Sequence, residues 1–267
     1  MAEGASPARF GFLRRVGLAA GALVLAAVVL FFATLPDVHP LARSFPKSTA
    51  FMDLRREALA RAGQSPRLEW IPVPISRISP WLRRAVIVAE DARFYQHGGV
   101  DWDAVRGAAG KDWQRGALRV GASTITQQLA KNLYLSPSRT LWRKVREFAI
   151  TRELESTLSK ERILELYLNV VEFGPRTYGA EAAAWRYFGK TAESLSAHES
   201  ATLAAVIPSP RIYDPFHHAQ RVERRAQRIL RQMRITEESG APDTPQPSAA
   251  APTPEPSPTA DSADFRL

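Results

Sequence analysis

Ala85-Val-Ile-Val-Ala-Glu90-Asp91-Ala-Arg-Phe94-Tyr-Gln-His97-Gly-Gly-Val-Asp101 is the stretch whose reading decides the fold. Ser79-Pro80 opens it, a capping hydroxyl followed by proline in the first helical turn. The apolar helix that follows carries two adjacent carboxylates to its C-terminal end. That is the wrong end for negative charge by the macrodipole, so another part of the fold must stabilise their ionised forms. A carboxylate beside apolar surface has a raised pKa and suits the work of a general base near neutral pH. A solvated helix end with His97 hydrogen-bonded nearby explains the same residues without a site. His97 with Asp101 is too small a set to be read as a metal site.

Outward from this stretch, the pattern from Trp70 to about Met233 is nearly all helical, with one strand expected over Leu68–Val73. Ser196-Ala-His-Glu199 is a capping box before the apolar run Ala201–Ile207. Gly174-Pro175 and Gly189 read as helix ends. Gly121-Ala-Ser123-Thr124-Ile-Thr126-Gln127-Gln128-Leu-Ala-Lys131-Asn132 is a small-residue turn followed by hydroxyls that open a helix, where backbone N–H groups favour anions. Gln128, Lys131 and Asn132 then share one polar face; a capped amphipathic helix is the bland alternative. In Thr140–Leu158, Arg143, Lys144 and Glu147 share a face, and Leu141, Val145, Phe148, Leu154 and Leu158 form an apolar face opposite. Intrahelical ion pairing explains that charged cluster by itself. What favours a site is recurrence: three segments offer groups suited to a diphosphate, and one offers a base.

The 267 residues carry a net charge of +9 and no cysteine. Disulfides, thiolate zinc sites and a cysteine nucleophile are therefore excluded. The basic excess suits an anionic membrane surface or a phosphate-bearing substrate; without a nucleic-acid motif, no nucleic-acid partner is expected. Val16 to Leu35 is uncharged over twenty residues, about 30 Å of helix, and Arg9, Arg14 and Arg15 precede it. An uncleaved single-pass anchor is expected, with residues 1–15 in the cytoplasm and the remainder outside. Residues 36–68 read as a linker with an amphipathic piece near Met52–Ala62, either lying on the membrane or packing as an arm. Residues 69–235 form the catalytic domain, and 236–267 a Pro-rich tail too poor in apolar surface to order itself.

The strings AEDARFYQHGGVDWDA, RVGASTITQQLAKNLYL, RKVREFAITRELE, KERILELYLNVVEFG with YGAEAAAWRYFGK, and ESATLAAVIPSPRIYDP follow in order. Together they resemble the five motifs of family 51 glycosyltransferases, the peptidoglycan polymerases, over roughly Trp70 to Met233. The resemblance implies a mainly α, lysozyme-like fold with a second apolar lobe on the bilayer. It makes Glu90 the general base for the 4-hydroxyl of an incoming lipid II. That hydroxyl attacks C1 of the lipid-linked glycan chain with inversion, forming a β-1,4 bond. Glu147 resembles the second essential glutamate, with Arg143 and Lys144 near the diphosphate. Ser123, Thr124, Gln128, Lys131 and Asn132 match the donor-side motif, Tyr167 a site-lining tyrosine, and Asp91, Phe94 and His97 the supporting positions of the first motif.

By this resemblance the enzyme belongs in the bacterial inner membrane with its catalytic domain periplasmic, alongside other cell-wall synthesis proteins. No cofactor is required. A divalent cation, Mg²⁺ or Mn²⁺, is left open, and no dedicated protein metal site is expected. Ala122 departs from the glycine common at that position of the second motif, which bears on the loop's conformation because alanine disfavours positive φ. Ser44-Phe-Pro-Lys47 has S-x-x-K spacing but lies before the catalytic region without S-D-N or K-T-G partners, so transpeptidation is not expected. A lytic enzyme and a non-catalytic scaffold are the rival readings. The cationic motifs speak against the first, and a requirement for Glu90 against the second.

Overall fold

A computed structural model describes residues 7–107, 123–138, 140–213 and 215–238. Gly121, Ala122 and the tail from 239 onward lie outside the described residues. The helices are α1 (Pro7–Ala33), α2 (Ala50–Arg61), α3 (Pro80–Glu90), α4 (Ile125–Tyr134), α5 (Leu141–Thr157), α6 (Lys160–Val170), α7 (Ala180–Phe188), α8 (Ala197–Val206) and α9 (Ala219–Glu238). Residues 102–107 are helical too. α1 thus begins ahead of the uncharged stretch, and α9 runs to Glu238.

The helix ends follow local rules. Thr49, Thr124, Thr140, Ser159 and Ser196 each accept a first-turn N–H with the side-chain oxygen. Ser196–Glu199 is the expected capping box, and Thr124–Gln127 forms a second. Gly189 closes α7 in the left-handed conformation, φ 65°. Ser79 does start α3, but its hydroxyl is not a cap: it donates to Leu195 O at 2.8 Å, tying α3 to the segment before α8.

Two helix groups share one core. α3 packs on α8, and α9 lies against both. Val222, Ala226, Ile229 and Met233 of α9 recur at helical spacing and are buried there with Leu82 and Val86 of α3. In the second group α4 packs between α5 and α6, and α2 leans on α4 through a face that buries Met52 and Leu59. The amphipathic piece at 52–62 is thus a packing arm. Glu90 ends α3 at the junction of the two groups.

A small sheet packs against α7. Its order is β1 (Glu69–Trp70), β3 (Thr177–Tyr178), β2 (Glu172–Gly174), with β1 parallel and β2 antiparallel to β3. The expected strand at 68–73 shrinks to two residues. Gly174-Pro175 turns a strand pair and does not end a helix; α6 stops earlier, at Val170. Strands this short leave no two-residue period to read. Buried Asn169 of α6 holds β1's chain in place. Its Nδ2 donates to Val73 O at 2.9 Å, its Oδ1 accepts Val73 N–H at 2.8 Å, and its carbonyl accepts Trp70 Nε1–H at 2.7 Å.

The sequence reading of α5 is corrected. Glu147 of the charged face is buried, whereas Leu141 (88% exposed), Val145 and Phe148 of the face read as apolar point outward with Trp142. Apolar burial on α5 belongs to its second half, Ile150 and Leu154. The outward patch continues onto α1: Phe31 meets Trp142 edge-on at 5.0 Å, and Arg146 donates to Thr34 O at 2.7 Å. Every described side chain of α1 except Phe31 is exposed. Among the described residues no helix is long and apolar enough to cross a membrane. From Val16 the helix continues only to Ala33, about 27 Å, against a hydrocarbon core of roughly 30 Å.

Candidate active site

The adjacent carboxylates part company at the end of α3. Asp91 turns into the protein and joins two segments. Its Oδ2 accepts the Ile125 N–H at the start of α4 (3.0 Å), and its Oδ1 accepts from His97 Nε2 (2.9 Å). His97 Nδ1 accepts the Gly99 N–H, which assigns the ring proton to Nε2. The anion at the α4 N-terminus is therefore the protein's own carboxylate, and the N-terminal amides of α4 are largely committed. Thr124 N–H goes to Gln127 Oε1 and Gln127 N–H to Thr124 Oγ1. This corrects the expectation that those amides face a phosphate. Thr124 Oγ1 also donates to Gly99 O at 2.6 Å, so its hydroxyl is structural, while Ser123 just before it is exposed. Phe94 is fully buried, with Lys160 Nζ 4.5 Å from its ring centroid. Asp91, Phe94 and His97 thus hold the site's frame and do not line it.

Glu90 faces the other way, its side chain 11% exposed. Gln128 Nε2 donates to Glu90 Oε2 at 2.9 Å, and Arg225 of α9 donates to Oε1 at 3.4 Å. Burial pushes the Glu90 carboxyl above its usual range. The Gln128 hydrogen bond and the positive charges of Arg225 and Lys131 hold it back, and Asp91 adds a small push upward. Tyr167 is fully buried and donates to Gln128 Oε1 at 2.9 Å. It fixes the amide orientation that lets Gln128 donate to Glu90. The expected site-lining role is corrected: Tyr167 stands behind Gln128, one residue removed from the open site. Burial carries its phenol well above the ordinary value, so it stays a donor.

Lys131, one turn beyond Gln128, connects Glu90 to the second acid. Burial lowers its pKa, and the charges of Arg143 and Lys144 lower it further, whereas Glu147 and Glu90 both raise it. On α5, buried Glu147 binds Arg143 through one oxygen and Lys144 through the other. Lys144 remains half exposed. Asn132 is buried on α4 beside Lys131. The fold therefore brings Glu90, Gln128 and Lys131 together, places Lys131 within electrostatic reach of Glu147, Arg143 and Lys144, and adds Arg225. The sequence reading missed that arginine. It lies 135 residues from Glu90 in a helix with an arginine at every turn, so no spacing singles it out. Among the described residues no group of three or more His, Cys, Asp or Glu side chains could hold a metal ion.

A desolvated acid, restrained at both oxygens and separated by a lysine from a buried Glu–Arg–Lys cluster, can accept a proton beside a surface suited to a polyanion. Residues 56–234 match the family model described as Transglycosylase. The chain is 47% identical over 188 residues to the biosynthetic peptidoglycan transglycosylase of Nitrosospira multiformis, covering 70% of this chain and 82% of that protein. The protein of the same name from Methylobacillus flagellatus is 48% identical over 192 residues, with 72% and 84% covered. That from Bordetella avium is 43% identical over 230 residues, with 85% and 96% covered.

Proposed function

Since this chain belongs to the transglycosylase family, we propose that it builds peptidoglycan glycan strands from lipid II at the outer face of the cytoplasmic membrane. Glu90 is the general base of this reading. It takes the proton of the acceptor's 4-hydroxyl as that oxygen bonds to C1 of the growing chain. The bond from C1 to the lipid diphosphate breaks, the configuration inverts, and the diphosphate departs with the electron pair. Lys131, Arg143 and Lys144 take up its charge. Glu147 keeps the two α5 cations in place before substrate arrives, and such preorganisation is what makes fixed charges effective on a developing anion. Ser123 and Asn132 complete the donor side. Catalysis needs no metal from the protein, while a divalent cation could travel with the diphosphate.

The observation that carries the reading is the position of Glu90, poorly solvated yet restrained by Gln128 and Arg225, with Lys131 linking it to the Glu147 cluster. Membrane attachment belongs to the same reading. It is supported by the uncharged stretch Val16–Leu35, the outward side chains of α1 and the apolar patch Leu141–Phe148 beside it. Small mismatches in span length are absorbed by local thinning of the bilayer. The lysozyme-like class of the helical body comes from the sequence resemblance.

The test is polymerisation of purified lipid II, with product length read on a gel. Wild type is expected to give long strands that moenomycin, a donor mimic for this family, suppresses. Glu90→Gln is expected to give none. Undiminished strands from Glu90→Gln would refute the assignment of the base.

A further inference from the structure

Arg225 approaches Glu90 from the helix group opposite to the one that supplies Gln128. The two donors divide the carboxylate between them. Gln128, neutral and oriented by Tyr167, takes Oε2 at 2.9 Å, and the Arg225 guanidinium takes Oε1 at the looser distance of 3.4 Å. α9 anchors that arginine closely. Ala226, its neighbour, is fully buried against the core, and Val222 and Ile229 lock the turns on either side. The Arg225 Nε is itself buried with no hydrogen-bond partner, so the side chain is held by helix packing and by the charge of Glu90.

A carboxylate base must bring one oxygen within hydrogen-bond reach of the proton it takes, and the more loosely held oxygen is the easier one to free for it. The tight Oε2 contact and the loose, cationic Oε1 contact divide in that way. We propose that Arg225 is the positioning residue that keeps Glu90 ionised in its desolvated pocket, and that Oε1, the oxygen it guards, is the proton acceptor. This rests on the reading of Glu90 as the base.

The charged and titratable groups around Glu90 are few. Asp91 follows it in the chain, Lys131 comes from α4, Tyr167 from α6 and Arg225 from α9; the Arg143–Lys144–Glu147 cluster of α5 acts at one remove, through Lys131. Lys131 is shared with Glu147, whereas Arg225 makes a direct ion pair with Glu90 at 3.4 Å. A close opposite charge favours the ionised carboxylate, so losing it raises the carboxyl further.

The experiment is a pH–rate profile of strand synthesis for wild type, Arg225→Gln, Arg225→Lys and Glu90→Gln. Carboxyl infrared difference spectra against Glu90→Gln would record the titration of Glu90 independently of turnover. In Arg225→Gln the acid limb should move to higher pH, with at least about a tenfold loss at acidic pH that recovers on the alkaline side. Arg225→Lys should lie between Gln and wild type. The infrared transition of Glu90 should move in step. An acid limb and infrared transition unchanged in folded Arg225→Gln would overturn the proposal and leave the base assignment standing. Activity surviving in Glu90→Gln would instead remove the base assignment. If Arg225→Gln does not fold, Arg225→Met, which keeps the buried stem and drops the charge, carries the same test, and an acid limb there unchanged from wild type overturns the proposal.

Discussion

Glu90 and Asp91 are chemically alike and adjacent, and the fold gives them opposite work. Asp91 satisfies a backbone amide and a histidine inside the protein. Asp91→Ala should therefore leave two buried donors without an acceptor and lower stability by roughly 2–5 kcal/mol, measured by urea denaturation. Glu90→Gln should act on how stability varies with pH. A carboxyl whose pKa is higher folded than unfolded binds protons more tightly when folded, so its ionisation erodes stability as pH rises past the ordinary carboxylate value and through the raised one. Glutamine removes that pH-dependent loss, but its amide NH2 replaces one of the two accepting oxygens and faces the donor of Gln128 or Arg225. Melting temperatures of Glu90→Gln should therefore decline less between acidic and alkaline pH than those of wild type. In strand synthesis, wild-type activity should fall on acidification at a pH above that of an ordinary glutamate, because only the ionised base accepts a proton.

At the scale of elements, what could be read in advance depended on how local the cause was. Thr124–Gln127, Ser196–Glu199 and Gly189 lie within four residues of the ends they define, and each behaves as its sequence suggests. The two-residue strands do not, because their pairing comes from a chain a hundred residues away. Gly179 marks where that pairing meets α6. Its φ is +81°, and a Cβ there would stand 2.6 Å from the Asn169 carbonyl oxygen. Gly179→Ala should combine backbone strain with a clash and lower stability by about 3 kcal/mol or more, visible as a shifted denaturation midpoint with unchanged slope. The face of α5 was misread for a related reason. Helical period says which residues share a side, but not which side the protein turns inward, and here Glu147 of the charged side is buried between Arg143 and Lys144.

For the whole molecule, the two helix groups meet at Glu90, and the outward apolar residues of α5 lie beside the end of α1. Exchanging Trp142 and Phe148 for glutamate should sharply weaken binding of the protein to anionic lipid vesicles in a flotation assay. Stability should change little, within about 0.5 kcal/mol, because both side chains are already exposed. Equal flotation of the variant and wild type would remove that patch from the membrane reading.

By itself the sequence determined the helical body, the apolar N-terminal stretch, the family, and the set Glu90, Gln128, Lys131, Arg143, Lys144 and Glu147. Helix period, capping and ordered motifs are written within a few residues of where they act. Only the tertiary structure decided that Asp91, His97 and Thr124 are frame, that Tyr167 stands behind Gln128, that Glu147 is buried between two cations, and that Arg225 reaches Glu90. Each of those depends on which faces of distant helices the shared core draws together, and burial, unlike spacing, is a property of the packed whole.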